Sequence, residues 1–275
     1  MKIKLDDMTW PEVDEVLSKP NAVLIPVGSV EQHGPHLPLS VDSRCAAYIA
    51  EQAAEKVAED QQIRMIVAPA IQYTEVTTFQ SFPGTIGISA DTEIRVIGDI
   101  ARSFIKQGFK NIIFVNGHFP NVTLISTALH QVSVDFPEAG LYAASWWALG
   151  FEVIPKIRKS TICLHADELE TSVSLVIQPE NVHLDKAVKE FPSYSLSEKW
   201  VYPDFYDPNR VFYHSRKKFP KMGTNPGVMG DPTVASRETG EKILKAVVDD
   251  LAEIIVEVVQ SGGDSPYTRM KGCYR

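Results

Sequence analysis

Cysteine is scarce in this chain of 275 residues: Cys45, Cys163 and Cys273 are odd in number and far apart. A disulfide framework and a thiolate zinc site are therefore not expected, and a reducing cytoplasm fits. Positive charge is also in deficit, with 27 Lys and Arg against 35 Asp and Glu and a formal net charge of −8. The basic clusters Lys156-Ile157-Arg158-Lys159 and Arg216-Lys217-Lys218 are short. Neither a nucleic-acid surface nor an anionic membrane surface is expected from them. No stretch reaches the roughly 18 to 20 apolar residues that span a bilayer, and the segment Met1 to Asp7 lacks the apolar core of a signal peptide. Internal repeats and low-complexity tracts are missing too. The expectation is a soluble, unexported, cytoplasmic protein.

What the chain does have is ordinary globular substance, 44% apolar and 23% charged residues, enough to bury a sizeable core as one domain over 1–275. Apolar blocks predict strands at Ala22 to Val27, Ile63 to Ala68, Asn111 to Val115 and Leu141 to Ser145. Between them, helical spacing predicts a short helix at Pro11 to Ser18 and longer ones from Asp42 to about Ala58, Asp91 to Gln107 and Asn121 to Val134. Two more follow at Asp167 to Ile177 and Val234 to Val259. Asp42 is placed to cap its helix. Thr74 to Ser89 reads as an irregular loop, and 181 to 235 as a long ordered excursion rich in aromatics (Phe191, Tyr194, Trp200, Tyr202, Phe205, Tyr206). Solid apolar strands alternating with helices imply an α/β protein whose mainly parallel sheet is covered on both faces.

The chemistry gathers at predicted strand ends. Directly after Val27 comes GSVEQHGPHLPLSVD, residues 28 to 42. In extended chain Glu31 and His33 project the same way, and Gly34, Pro35 and Pro38 bend the loop so that Asp42 can return to them. His118 follows Asn116-Gly117 at another strand exit, the place where open α/β sheets bind ligands. Glu, His, Asp and His form a nitrogen and oxygen set suited to zinc, manganese or iron, and a bridging carboxylate would allow two ions. A third cluster is HADELETS, residues 165 to 172. On a helix, His165, Glu168 and Ser172 would share one face. Glu168 is then a further ligand or the general base, and His165 a proton carrier. Each motif alone is commonplace; His36 reads as structural and Trp146-Trp147 as core. Their convergence at strand ends carries the reading.

The stretch from Pro26 to Asp42, with Asn116-Gly117-His118, His165 to Ser172 and Pro226-Gly227-Val228-Met229-Gly230-Asp231-Pro232, resembles the creatininase (creatinine amidohydrolase) family over nearly the whole chain. The resemblance implies a three-layer α/β fold, a binuclear metal centre, hydrolysis of a small-molecule substrate and a homo-oligomer, commonly a hexamer. It implies Glu31, His33, Asp42 and His118 as metal ligands, with Asp42 the bridge. Where creatinine-hydrolysing members place a glutamate, this chain has Pro120, and the resemblance to other branches points to Glu168 instead; Asp167 stands where their motif has glycine. The reaction expected is attack of a metal-bridged water on the carbonyl of a small cyclic amide or formamide. Cleavage of a peptide bond, carbon–carbon hydrolysis of a cyclic diketone sugar, and a non-catalytic metal-stabilised binding role are the alternatives.

Overall fold

Four strands, β1 (Asn21–Val27), β2 (Arg64–Val67), β3 (Asn111–Asn116) and β4 (Gly140–Ser145), lie in the order β2-β1-β3-β4, all parallel. The computed structural model describes residues 2–60, 63–191, 204–206 and 225–261. The sheet is covered on both sides, which is why β1 from Ala22 to Val27 and β3 from Ile112 to Val115 are apolar runs rather than alternating ones. Ala22 and Leu24 face one core with α2 (Val41–Asp60), α6 (Glu168–Ile177) and α7 (Arg237–Gln260). Val23, Ile25 and Val27 face the other, with α1 (Trp10–Leu17), α3 (Ala90–Gln107) and α4 (Asn121–Asp135). The result is the three-layer α/β architecture expected, and each fully buried Leu or Ile in it contributes about 1.5–3 kcal/mol.

Pro26 sits in a central strand, where a missing N–H would normally break a ladder. β2 ends at Val67, in register with Leu24, so the edge of Pro26 on that side lies beyond the last rung. Its carbonyl is taken by the Ile71 N–H instead.

The structure differs from the sequence reading at two places here. Asp42 lies inside the first turn of α2, and its carboxylate is engaged by Ser29, His33 and His118 rather than capping the helix. His165 is not on a helix: it ends a short strand β5 (Cys163–His165), which pairs antiparallel with β6 (Met229–Gly230). The break between β5 and α6 is made by Ala166, in the left-handed region at φ 48°, and by Asp167, whose carboxylate accepts from the Leu169 and Glu170 N–H groups as the helix cap. Of the excursion at 181 to 235, residues Tyr194, Trp200 and Tyr202 lie outside the described residues.

Two glycines bring the elements together at the carboxyl end of the sheet. A Cβ on Gly28 would fall on the Ser43 backbone, and one on Gly117 would fall on the Asp42 carbonyl oxygen. Only glycine lets both strand exits lie directly against the first turn of α2.

Candidate metal centre

Glu31, His33, Asp42, His118, His165 and Glu170 converge where β1, β3, β5 and the first turns of α2 and α6 meet, and all six are buried. They form three overlapping groups whose ligating atoms lie within 4.8 Å of one another: Glu31 with Asp42 and His118, His33 with Asp42 and Glu170, and Glu31 with His33 and His165. Asp42 is the shared member of the first two. Its Oδ2 is 2.8 Å from His118 Nδ1 and its Oδ1 is 3.0 Å from His33 Nε2, so each oxygen serves one group. Ser29 Oγ donates to Oδ2 at 2.8 Å and fixes the carboxylate plane.

Each imidazole is turned by a backbone carbonyl. His33 Nδ1 lies 3.0 Å from the Glu31 carbonyl, His118 Nε2 lies 3.1 Å from that of Glu75, and His165 Nε2 lies 2.9 Å from that of Gln32. A ring N–H given to a carbonyl leaves the opposite nitrogen as a lone pair, the usual outer support of a ligating histidine. Those opposite nitrogens all face carboxylates: His33 Nε2 is 3.8 Å from Glu170 Oε2, His118 Nδ1 is 3.3 Å from Glu31 Oε1, and His165 Nδ1 is 3.7 Å from Glu31 Oε1.

Glu31 is the telling residue. It is 1% exposed, and neither carboxylate oxygen has a hydrogen-bond partner. A buried carboxylate without donors is strongly disfavoured, and a cation among these six side chains removes the penalty. The donor set, three carboxylates and three imidazoles, suits zinc, manganese or iron.

Without a cation, protons do part of this work. Burial on its own would lower the His33 pKa, but the Asp42, Glu170 and Glu31 carboxylates raise it to about 10. His118 is likewise disfavoured by burial and raised well above its usual value by Glu31 and Asp42. Burial would raise Asp42, yet His33 and His118 hold it below the usual carboxylate range. Burial pushes Glu170 up. Burial and the neighbouring His33 push His165 well down, so that its ring is neutral.

The structure therefore brings together the four residues nominated from β1, α2 and β3, and His165 with them. It does not bring Glu168. That carboxylate turns away and accepts from the Lys159 and Ser160 N–H groups at 2.8 and 2.5 Å. Glu170 occupies the place, its Oε2 also accepting from the Ala166 N–H at 2.5 Å. The error follows from placing His165 on the helix: three-residue spacing from a helical His165 selects Glu168, whereas a helix capped at Asp167 sends Glu170 back over β5. Ser172, expected on the same face, accepts from the Ser236 N–H. His36 is structural as expected, its Nε2 2.9 Å from Thr171 Oγ1. Pro120 directly precedes α4 and offers no ligand.

Aromatic rings wall the centre. Phe79 stacks on His165 at 4.1 Å, and the half-exposed Phe119, next to His118, leans on Trp147 and Phe205. Trp146 is core as expected, and Trp147 stacks on Phe205 at 5.0 Å.

The model of the creatininase family, described as creatinine amidohydrolase, matches residues 6–255. The mycofactocin precursor peptide peptidase of Mycolicibacterium smegmatis is 31% identical over 233 residues, covering 85% of this chain and 83% of that protein. The creatinine amidohydrolase of Pseudomonas putida is 27% identical over 272 residues, covering 91% and 95%. Among solved structures, a mutant creatininase of Zn–Zn type superposes with a TM-score of 0.76 at 24% identity, covering 94% of this chain and 98% of that one, which shows a common fold.

Proposed function

Because the chain belongs to the creatininase family, we propose that it is a metal-dependent amidohydrolase in which Glu31, His33, Asp42, His118 and Glu170 hold two divalent ions, zinc, manganese or iron. The observation that carries the reading is the buried carboxylate of Glu31, which accepts no hydrogen bond and is ringed by imidazoles that backbone carbonyls have already oriented. Charge argues for two ions rather than one. Three buried carboxylates leave a net negative site with one divalent ion, and a net positive one with two. A positive site suits an anionic nucleophile and the oxyanion that forms when a carbonyl is attacked. Two such ions supply a lowered water pKa and polarisation of the substrate carbonyl.

The chain's own residues then have distinct duties. Asp42, whose two oxygens are turned to different histidines, would hold both ions. His33 and His118 would each give a single lone pair, and Glu31 and Glu170 would complete the set. His165, turned toward Glu31, would accept the proton that the attacking water gives up and return it to the leaving nitrogen. Phe79 against its ring keeps bulk water from that nitrogen.

The substrate class is an amide C–N bond in a small cyclic amide, a formamide or a peptide end. That a peptidase and a creatinine amidohydrolase are among the similar proteins supports that range. We place the chain in the cytoplasm as one domain and as a homo-oligomer, supported by the buried free thiols of Cys45 and Cys163 and by the exposed Trp10 and Phe151. The test is a hydrolysis panel of cyclic amides, formamides, short peptides and cyclic diketones, run before and after chelation. Turnover of an amide that chelation abolishes and zinc or manganese restores supports the reading. Stability lost on chelation with no turnover in any panel overturns it in favour of a metal-stabilised binding protein.

A further inference from the structure

The segment Pro226 to Pro232 contributes no ligand to the centre, yet it touches the centre's proton carrier from two directions. Its strand β6 pairs with β5, with Met229 opposite His165, and so holds the His165 backbone. One turn earlier, Gly227 meets Gln32, which stands between the two ligands Glu31 and His33 and is 5% exposed. The Gln32 amide is fixed at both ends: Oε1 accepts from the Gly34 N–H at 2.9 Å, and Nε2 donates to the Gly227 carbonyl at 3.1 Å. Its backbone is held as well, the Gln32 N–H donating to Thr85 Oγ1 at 3.0 Å.

Gln32 in turn presents two groups to one atom. Its carbonyl oxygen and its amide nitrogen each lie 2.9 Å from His165 Nε2. A ring nitrogen has one in-plane bonding position, so it gives its proton to the carbonyl when it carries one and accepts from the amide when it does not. In both states the Nε2 edge is occupied, and the Nδ1 edge is left facing Glu31. The fit leaves no spare room. Gly227 has φ 79°, and a Cβ there would fall on Gln32 Oε1; a Cβ on Gly34, at φ 67°, would come within 2.7 Å of Val228 Cγ2. The Asn225 side chain holds the turn by accepting from the Gly227 N–H at 2.7 Å.

We propose that Gln32 is the positioning residue of His165 and that Gly227 is its clamp, so that the 225–230 segment sets the aim of the proton carrier without touching metal or substrate. This rests on the amidohydrolase reading for its catalytic consequence, and on geometry alone for the placement of the ring.

The experiment is a double-mutant cycle of Gln32→Leu and Gly227→Ala on the zinc-loaded protein, together with a crystal structure of the Gln32→Leu protein. Each single variant should lose roughly 10- to 100-fold in kcat, the scale of a misaimed catalytic group. KM and metal per chain should stay within about twofold. Because Gly227 acts through Gln32, the double variant should be no worse than the worse single one. In the crystal structure the His165 ring should leave its stacked position over Phe79. Additive losses, metal lost in step with kcat, or a His165 ring unmoved in the Gln32→Leu protein would overturn the proposal. If Gly227→Ala does not fold, Gln32→Leu decides it through the kcat, KM and metal readouts and the ring position. If the wild-type protein turns over nothing, the amidohydrolase reading fails separately, and the ring position alone judges the clamp.

Discussion

Glu168 and Glu170 stand two residues apart at the start of one helix, both buried, and the structure gives them different work. Glu170 faces His33 and the centre; Glu168 ties down the Lys159 and Ser160 amides. Glu170→Gln should therefore remove about one metal per chain and most turnover with little loss of fold. Glu168→Gln should keep the metals and lose about 1.5–3 kcal/mol of stability in urea denaturation, the scale of a hydrogen bond to a charged group. The reverse pattern would return Glu168 to the metal shell. The distinction was hidden in the sequence because it depends on a boundary: HADELETS contains both residues, and only the strand ending at His165 and the cap at Asp167 decide which one turns inward. Glu31, His33 and Asp42 were legible because one short loop carries them all. The histidines also set a pH dependence. His33 has a folded pKa of about 10 against 6.5 for the free side chain, so in metal-free protein its contribution to stability is complete below pH 6.5 and fades as pH rises toward 10. Ions require the neutral ring, so metal affinity should rise over the same interval. Zinc titration of stripped protein near neutrality should release roughly one to two protons per chain, read with a pH indicator; uptake of metal with no proton release contradicts these assignments.

At the scale of elements, the centre exists because two strand exits and one helix start share a point. The glycines that permit this, Gly28 and Gly117, make a direct prediction. Gly117→Ala places a methyl group on the Asp42 carbonyl and must push β3 and α2 apart. The expected result is a folded protein, destabilised by about 1–3 kcal/mol as overpacked sites are, with metal content reduced. Circular dichroism and metal analysis together check it, and full metal content in the variant would mean that the contact is slack. The strands and helices that frame the point were readable, since buried parallel strands are continuous apolar runs and the covering helices repeat at three and four residues. β5 and β6 were not, because strands of three and two residues carry no period. Their pairing is what puts the late segment 225–230 beside the early loop at Glu31.

For the whole molecule, the net charge of −8 and the three buried carboxylates pull in the same direction, toward cations as ligands. No helix among the described residues is long and apolar enough to cross a membrane. Large apolar side chains remain exposed at Trp10, Val134 and Phe151, and light scattering should return a mass several times the 30.6 kDa of one chain; a mass of one chain would remove the assembly from the account. The family was legible in the sequence from the motif at 26 to 42, and the fold with it. The substrate was not, because the residues that frame the ligands constrain metal geometry far more than they constrain what is bound. The most direct test of the central claim is metal content per chain on purified wild-type protein, measured by mass spectrometry before and after dialysis against chelator. Two divalent ions per chain, lost together with hydrolytic activity and restored with it, is the result expected of the proposed centre. A protein that holds less than one ion and is indifferent to chelation would contradict it.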